Sequence, residues 1–331
     1  MNQINDNNLT RRQFVTRAVK AGASIAAAAA IAGLSLDKKG PSAQAYNDMV
    51  TLPDFSIPRQ DGKIISIVKG PDRIKTVNKA IDLLGGIERF IKPGDTVVIK
   101  PNVAFATVAA LGATANPQLI AEVVRLCFAR GRARRVIVTD NPINNPSSCF
   151  AISGIAKAVS DAGGAIFLPK DNSFRFGSLN GRQEIKSCTV LYEPLQKADK
   201  LIGIAPVKDH SRAIASMSMK NWYGLLGGRR NVFHQDINTI ISELAIFVKP
   251  TLVILDGTEV MMTNGPTGGS FSDLKRTDTV IAATDQVAAD SFGCTLLNLK
   301  PENLPYLTKA QAGGAGTADY MSLKPLIADM I

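Results

Sequence analysis

Aromatic residues make up only 6% of the 331-residue sequence, with a single Trp. A stacking platform for sugars or for single-stranded nucleic acid needs several such rings, so neither is expected, and nucleic acid is not an expected partner. Cysteine is equally scarce. Cys127, Cys149, Cys188 and Cys294 are widely spaced and form no C-x-x-C pair, which leaves no local zinc module and no ferredoxin-type iron-sulfur cluster to expect in this chain. Cys127 and Cys294 sit in apolar helical patterns and read as core. Cys149 and Cys188 fall near expected loop or strand-edge segments, and in an oxidising compartment they are the pair placed to bond. The chain has no internal repeat and no G-x-x-x-x-G-K-[ST] phosphate loop, and no Pro/Ser-rich linker divides it beyond its first 45 residues. Histidine is limited to His210 and His234.

What is present is the balance of a globular chain, 45% hydrophobic and 20% charged, with a net charge of +10. Part of that charge belongs to the N-terminus. The first 45 residues hold Arg11, Arg12, Arg17, Lys20, Lys38 and Lys39 against Asp6 and Asp37. Thr10-Arg11-Arg12-Gln13-Phe14-Val15 precedes an Ala-rich apolar run from Ala21 to Leu36, and Ala43-Gln44-Ala45 supplies a small-x-small cleavage site. The order resembles a twin-arginine (Tat) export signal. Residues 1–45 are expected to be a cleavable leader, with the Tat export machinery as a partner, a periplasmic destination and no stable membrane span after processing, because the run is too short and too weakly apolar. By that resemblance the chain crosses the membrane already folded, which suits a protein that acquires a cofactor beforehand.

Past an extended arm at 46–63, β-rich runs alternate with helical patterns, the signature of an α/β fold. Strands are expected at Ile64–Val68, Thr96–Lys100, Val136–Asp140, Ala165–Leu168, Lys200–Ala205, Thr251–Asp256 and Thr279–Ala283. Helices are expected at Ile74–Leu84, Leu119–Ala129, Phe150–Ala162, Ile237–Phe247 and Gln286–Leu297. The reading is one α/β domain over 64–331, a mainly parallel sheet with helices on both faces, with an inserted lobe near 170–235.

In open α/β sheets ligands bind beyond the carboxyl ends of the strands. Four apolar runs end in polar residues: Lys100-Pro101-Asn102, Asp140-Asn141-Pro142, Lys208-Asp209-His210 and Asp256-Gly257. The stretch from Lys208 to His234 is the richest, with both histidines flanking Lys220-Asn221 among the glycines at 224, 227 and 228. Imidazole near neutral pH relays protons or ligates a metal, and a desolvated lysine serves as a base or a covalent anchor. His210, Lys220 and His234 are therefore candidate catalytic residues, with His210 and His234 also candidate metal ligands. Lys100, Asn102, Asp140, Lys208, Asn221 and Asp256 are candidate ligand-binding residues. The Asn264–Ser270 loop offers backbone amides that suit an anion. Asp285 reads as a helix N-cap, and Asp290 faces either core or site.

Together Lys100-Pro101-Asn102-Val103, Lys208-x-His210, Lys220-Asn221-x-x-Gly224, His234, Asp256-Gly257 and Thr284-Asp285-x-Val287-Ala288-x-Asp290 resemble the domain-of-unknown-function family 362, over about Ile64 to Leu299. The resemblance implies an α/β fold and kinship with proteins fused to ferredoxin-type modules, from which this chain departs in its cysteines. The order His210, Lys220, His234 is also similar to that of nickel-pincer lactate racemases, which implies Lys220 as cofactor anchor, His234 as metal ligand and His210 as proton carrier. The leading expectation is an exported protein, dependent on a metal ion or metal-containing cofactor, that acts on a small anionic molecule by proton transfer. A periplasmic redox accessory protein, a non-catalytic anion-binding module and a racemase-like enzyme stay open beside it.

Overall fold

The computed structural model describes residues 49–177, 188–228, 230 and 234–330. The leader expected over residues 1–45 lies outside them. From Met49 to Gly62 the chain has no helix, and it is tied to the body. Leu52 and Phe55 are buried; the Phe55 amide donates to the Lys249 carbonyl at 3.1 Å, and its own carbonyl accepts from Thr251 Oγ1 at 2.7 Å.

The first half alternates strand and helix as β1 (Ile65–Lys69), α1 (Arg73–Leu83), α2 (Ile87–Phe90), β2 (Thr96–Pro101), α3 (Pro117–Ala129), β3 (Arg135–Thr139), α4 (Pro146–Ile152), α5 (Ile155–Asp161) and β4 (Ala165–Phe167). Local chemistry sets these starts. Asp72 caps α1 by accepting from the Ile74 and Lys75 amides, and Asn116 caps α3 ahead of Pro117, whose missing N–H is no loss in a first turn. After β5 (Phe174–Gly177) and β6 (Cys188–Leu191) come β7 (Lys200–His210), β8 (Ile214–Ser216), α6 (Ser218–Asn221), α7 (Ile237–Phe247), β9 (Leu252–Met261), β10 (Leu274–Ala283), α8 (Gln286–Leu296), α9 (Pro305–Ala312) and β11 (Leu326–Asp329).

Among the described residues the main sheet has nine strands in the order β11-β1-β10-β9-β7-β2-β3-β4, with β8 beside β7. The pairs β9·β7, β7·β2, β2·β3, β3·β4 and β1·β11 are parallel, whereas β10 runs antiparallel to both β1 and β9. Strand alternation divides the core in two. Val97, Ile99, Val136, Val138, Ile202 and Ile204 pack with Val77 and Ile81 of α1, Leu119 and Val123 of α3, and Ile155 of α5. Val98, Ile137, Leu201, Ala205, Val253 and Leu255 pack on the other side with Ile240 and Leu244 of α7, Val287 of α8 and Leu307 of α9. The expected α/β fold, a mostly parallel sheet with helices on both faces, is the observed one.

Three details differ from the sequence reading. The pattern over Phe150–Ala162 is two helices, because Gly154 takes a left-handed φ of 78° between them and Asn145-Pro146 starts the first one earlier. The inserted lobe is smaller than 170–235: β5 and β6 form their own two-stranded sheet, while β7, inside that range, is a central strand of the main sheet. Residues 178–187 between β5 and β6 lie outside the described residues. Cys149 and Cys188 are not bonded. Both are free and buried, and they lie in the two different halves of the core.

Candidate functional site

Beyond the carboxyl ends of β2, β3 and β7 opens a cleft of about 560 Å³, within the usual range for small-molecule sites. Its floor is a buried ion pair. Lys100 Nζ lies 2.7 Å from Asp140 Oδ1, with the side chains 1% and 2% exposed. Asp140 follows β3 directly, and its second oxygen accepts from the Val103 amide at 2.7 Å. Lys100 Nζ also donates to Asn221 Oδ1 at 2.6 Å and to the Pro101 carbonyl at 3.1 Å. Burial pushes the Lys100 ammonium down, and Asp140 pulls it back up. Gly224 closes over this pair, and its carbonyl accepts from the Asn141 amide at 2.9 Å.

Asn221 ties the next turn to the strands. Its amide nitrogen donates to the Lys100 carbonyl at 3.1 Å and to the Ile204 carbonyl at 3.2 Å. The turn is gripped from α8. Asp290 accepts from the Ser218 amide at 2.8 Å, from the Met219 amide at 3.0 Å and from the Ser218 hydroxyl. Gln286 accepts from Trp222 Nε1 at 2.6 Å and donates to the Ala245 and Val248 carbonyls. Asp290 therefore belongs to the support behind the cleft, and burial pushes its carboxyl up to about 7. Asp285 is the N-cap of α8.

Lys208 lies inside β7, since that strand runs to His210 instead of stopping at Ala205; β8 folds back on its end, with Lys208 opposite Ser216 and His210 opposite Ile214. Lys208 Nζ donates to the Ala113 carbonyl at 2.5 Å, to Asn102 Oδ1 at 3.2 Å and to the Pro266 carbonyl at 3.4 Å. Burial, with Lys220 and Lys100 adding repulsion, pushes it down to about 7. Pro266 brings the Asn264–Ser270 loop to the cleft, and the Gly265 amide is tied to Asp209 Oδ2 at 2.8 Å.

His210 accepts at Nδ1 from the Arg212 and Ala213 amides, at 3.1 and 3.2 Å. The neutral ring thus carries its proton on Nε2. Burial, then Lys220 and Lys208, push its pKa down to about 3. Lys220 is pushed down to about 8 by burial, Lys100 and Arg230; its Nζ stands 4.5 Å from the centre of the Tyr223 ring. The His234 ring packs on the same Tyr223 at 5.3 Å between centroids. Burial and Lys220 lower its pKa, while the Arg230 backbone works the other way.

Lys100, Asn102, Asp140, Lys208, His210, Lys220, Asn221 and His234 all line this cleft. Asp256 does not. Its strand does not end with the apolar run at Leu255, because β10 pairs back on β9, which continues to Met261 and leaves Asp256 opposite Pro206 and Val280 within the sheet. Its carboxylate lies 2.9 Å from Arg73 Nε and accepts from the Thr258 amide at 3.0 Å. Sequence reasoning passed over Arg230 and Tyr223. Arg230 donates to the Asn141 and Pro142 carbonyls, each at 2.6 Å, and lines the cleft. The one signal for it was its place in the Gly-rich stretch already singled out.

The cleft is electrostatically unbalanced. Lys100 and Asp140 neutralise each other, and among the described residues Lys208, Lys220 and Arg230 form no ion pair. These residues do not fit a metal ion held by side chains alone. The described residues contain no group of three or more His, Cys, Asp and Glu able to hold one, the field is already positive, and His210 presents a protonated Nε2 where a ligand needs a lone pair.

The chain is 25% identical over 256 residues to a thylakoid-associated protein of Synechocystis sp., covering 73% of this chain and 75% of that one. Among solved structures it is similar to a Thermotoga maritima protein, with a TM-score of 0.42 and 13% identity over 70% of this chain and 60% of the other. It is also similar to the lactate racemase apoprotein of Thermoanaerobacterium thermosaccharolyticum, with a TM-score of 0.39 and 14% identity over 74% of this chain. The chain spans 60% and 58% of the length of those two structures. The family model described as a domain of unknown function, DUF362, matches residues 97–295. That match takes in every cleft residue from Lys100 to His234 and the Asp290 support behind them, and the chain belongs to this family.

Proposed function

We propose that the protein is an enzyme that binds a small organic anion in this cleft and moves a proton on it. The observation that carries the reading is the set of three basic groups, Lys208, Lys220 and Arg230, facing one cleft whose only lining carboxylate among the described residues is already held by Lys100. An anion there would regain the Coulomb energy that mutual repulsion costs the empty cleft. Near neutral pH Lys208 and Lys220, at about 7 and about 8, exchange protons readily, and His234 lies beside them. His210 suits a different task, donating its Nε2–H to a ligand oxygen.

Calorimetric titration with lactate, succinate and inorganic phosphate tests the reading. At least one of these should bind, with affinity at least tenfold weaker in Lys208→Met and Arg230→Met and progressively weaker as pH rises past about 7 and then about 8, where Lys208 and then Lys220 lose their charge. Binding indifferent to both substitutions, or no binding by any of the three, would reject it. The racemase-like alternative rests on His210, Lys220 and His234 lining one cleft; stoichiometric nickel in protein purified from its native host would favour it over a reaction run by side chains alone. Export is part of the proposal and rests on Arg11-Arg12 and Ala43-Gln44-Ala45. Changing both arginines to Lys should hold the precursor in the cytoplasm, and unchanged export would refute the twin-arginine route.

A further inference from the structure

The three cleft lysines have different surroundings. Lys100 Nζ is engaged by Asp140, Asn221 and the Pro101 carbonyl. Lys208 Nζ has the Ala113 and Pro266 carbonyls and Asn102 as acceptors. Lys220 is only 8% exposed, yet among the described residues its Nζ has no hydrogen-bond acceptor and no carboxylate, only the face of Tyr223. A ring face holds an ammonium but leaves no bond to break when the nitrogen turns to an electrophile. The first two nitrogens are engaged by oxygen acceptors, and the third is free to turn to a reacting carbon.

We propose that Lys220 is a nucleophile that forms an imine with a short 2-oxo acid. This deepens the anion-binding reading and rests on it. The carboxylate would be held by Lys208 and Arg230, which set the adjoining ketone or aldehyde carbon against Lys220 Nζ, and Phe105 and Ile143 would border a short apolar substituent. The chemistry balances without an oxidant or reductant. The ammonium first gives up a proton, and the nitrogen lone pair forms a C–N bond as the carbonyl π-bond breaks. A second N–H proton leaves nitrogen, the hydroxyl departs as water on receiving a proton, and the product is a protonated imine. His234, packed on the same ring as Lys220, is placed to carry these protons. A pKa brought down to about 8 keeps a usable share of Lys220 as free amine near neutral pH.

The test is reductive trapping. Full-length protein is incubated with pyruvate and cyanoborohydride near neutral pH, and the modified lysine is located by peptide mass spectrometry. The expected result is a reduced adduct on Lys220 at least tenfold above any other lysine, suppressed by excess lactate, which has the carboxylate but no carbonyl. The adduct should vanish in Lys220→Met and in Lys220→Arg, the second of which keeps the positive charge and guards against loss through unfolding. An adduct on Lys208 or spread over exposed lysines overturns the proposal, as does no adduct in protein that still binds lactate; both leave the anion-binding reading standing. If succinate or phosphate binds but pyruvate does not, the imine proposal falls alone; if lactate, succinate, phosphate and pyruvate all fail to bind, both fall together.

Discussion

A β-carbon on Gly224 would lie 1.8 Å from Asp140 Oδ1 and 2.5 Å from Lys100 Nζ, so the absence of a side chain at this position is what lets the backbone close over the buried ion pair. The demand is for space and not for an unusual backbone angle, since Gly224 is not among the residues of positive φ. Gly224→Ala should force the two charges apart inside the core. Separating a buried pair leaves each charge without its partner, which costs about 3–5 kcal/mol, and urea unfolding should show a loss of that order. A loss under about 1 kcal/mol would mean the backbone moves aside freely. Lys100, Asn102 and Asp140 were readable from sequence because each follows an apolar run directly, and strand ends in such sheets point toward the ligand crevice. Asp256 satisfied the same rule and misled, because an apolar run can stop where a strand continues. Nothing local distinguishes Leu255-Asp256 within a hairpin from Val138-Thr139-Asp140 at a true end; the difference lies in β10, which pairs from more than twenty residues downstream.

The four-residue helix α6 carries Lys220 and Asn221 into the cleft, yet it is too short for any apolar period to announce it. Its stability comes from α8. Two backbone donors at its start, on Ser218 and Met219, have no partner within so short a helix, and both find an oxygen of Asp290. Asp290→Ala should leave both amides buried and unpaired at a cost of about 3 kcal/mol, visible in urea unfolding. It should also weaken anion binding, because the turn that presents Lys220 loses its anchor. Asp290→Asn keeps one acceptor oxygen and should recover about half of the stability. Equal losses in the two variants would show that volume, and not the amide bonds, is what matters. The longer elements were legible for the opposite reason: Ile237–Phe247 has both a full apolar period and an N-capping Asp236, and its bounds are those expected from sequence. β5 and β6, with their exposed or half-buried Phe174, Arg175 and Phe176, carry too little alternation to have been placed beyond a general excursion.

Across the whole molecule, buried ionisable groups make the stability of the unliganded protein depend on pH in a definite sense, because stability rises with pH wherever the unfolded chain binds more protons than the folded one. Lys208 and Lys220 are lowered to about 7 and about 8 from an ordinary value of 10.5. Above about 7 the folded protein therefore sheds protons that the unfolded chain keeps, and stability rises. Cys127, Cys188 and Cys294 act in the opposite sense. Burial raises each from 9.0 to about 12, so above about 9 the folded state holds protons that the unfolded state has lost, and stability falls. Below 7 the two principal groups oppose each other: His210, lowered to about 3, favours higher pH, whereas Asp290, raised to about 7, favours lower pH. The expected outcome is a stability maximum near pH 9, with a gain of about 2 kcal/mol over pH 7, taking a pKa unit as about 1.4 kcal/mol and discounting for relaxation around the lysines. Urea midpoints measured at close pH intervals would show it. A saturating anion should flatten the rise, since an anion in the cleft favours the ammonium forms of both lysines and lifts their pKa values toward the unfolded ones. The rise should also fall by about two-thirds in Lys208→Met, because the group with the lower pKa titrates over more of this interval. A profile that declines steadily from pH 7, or that a bound anion leaves unchanged, would mean these lysines keep their full charge in the empty cleft, and the electrostatic imbalance would then be compensated by groups other than a ligand.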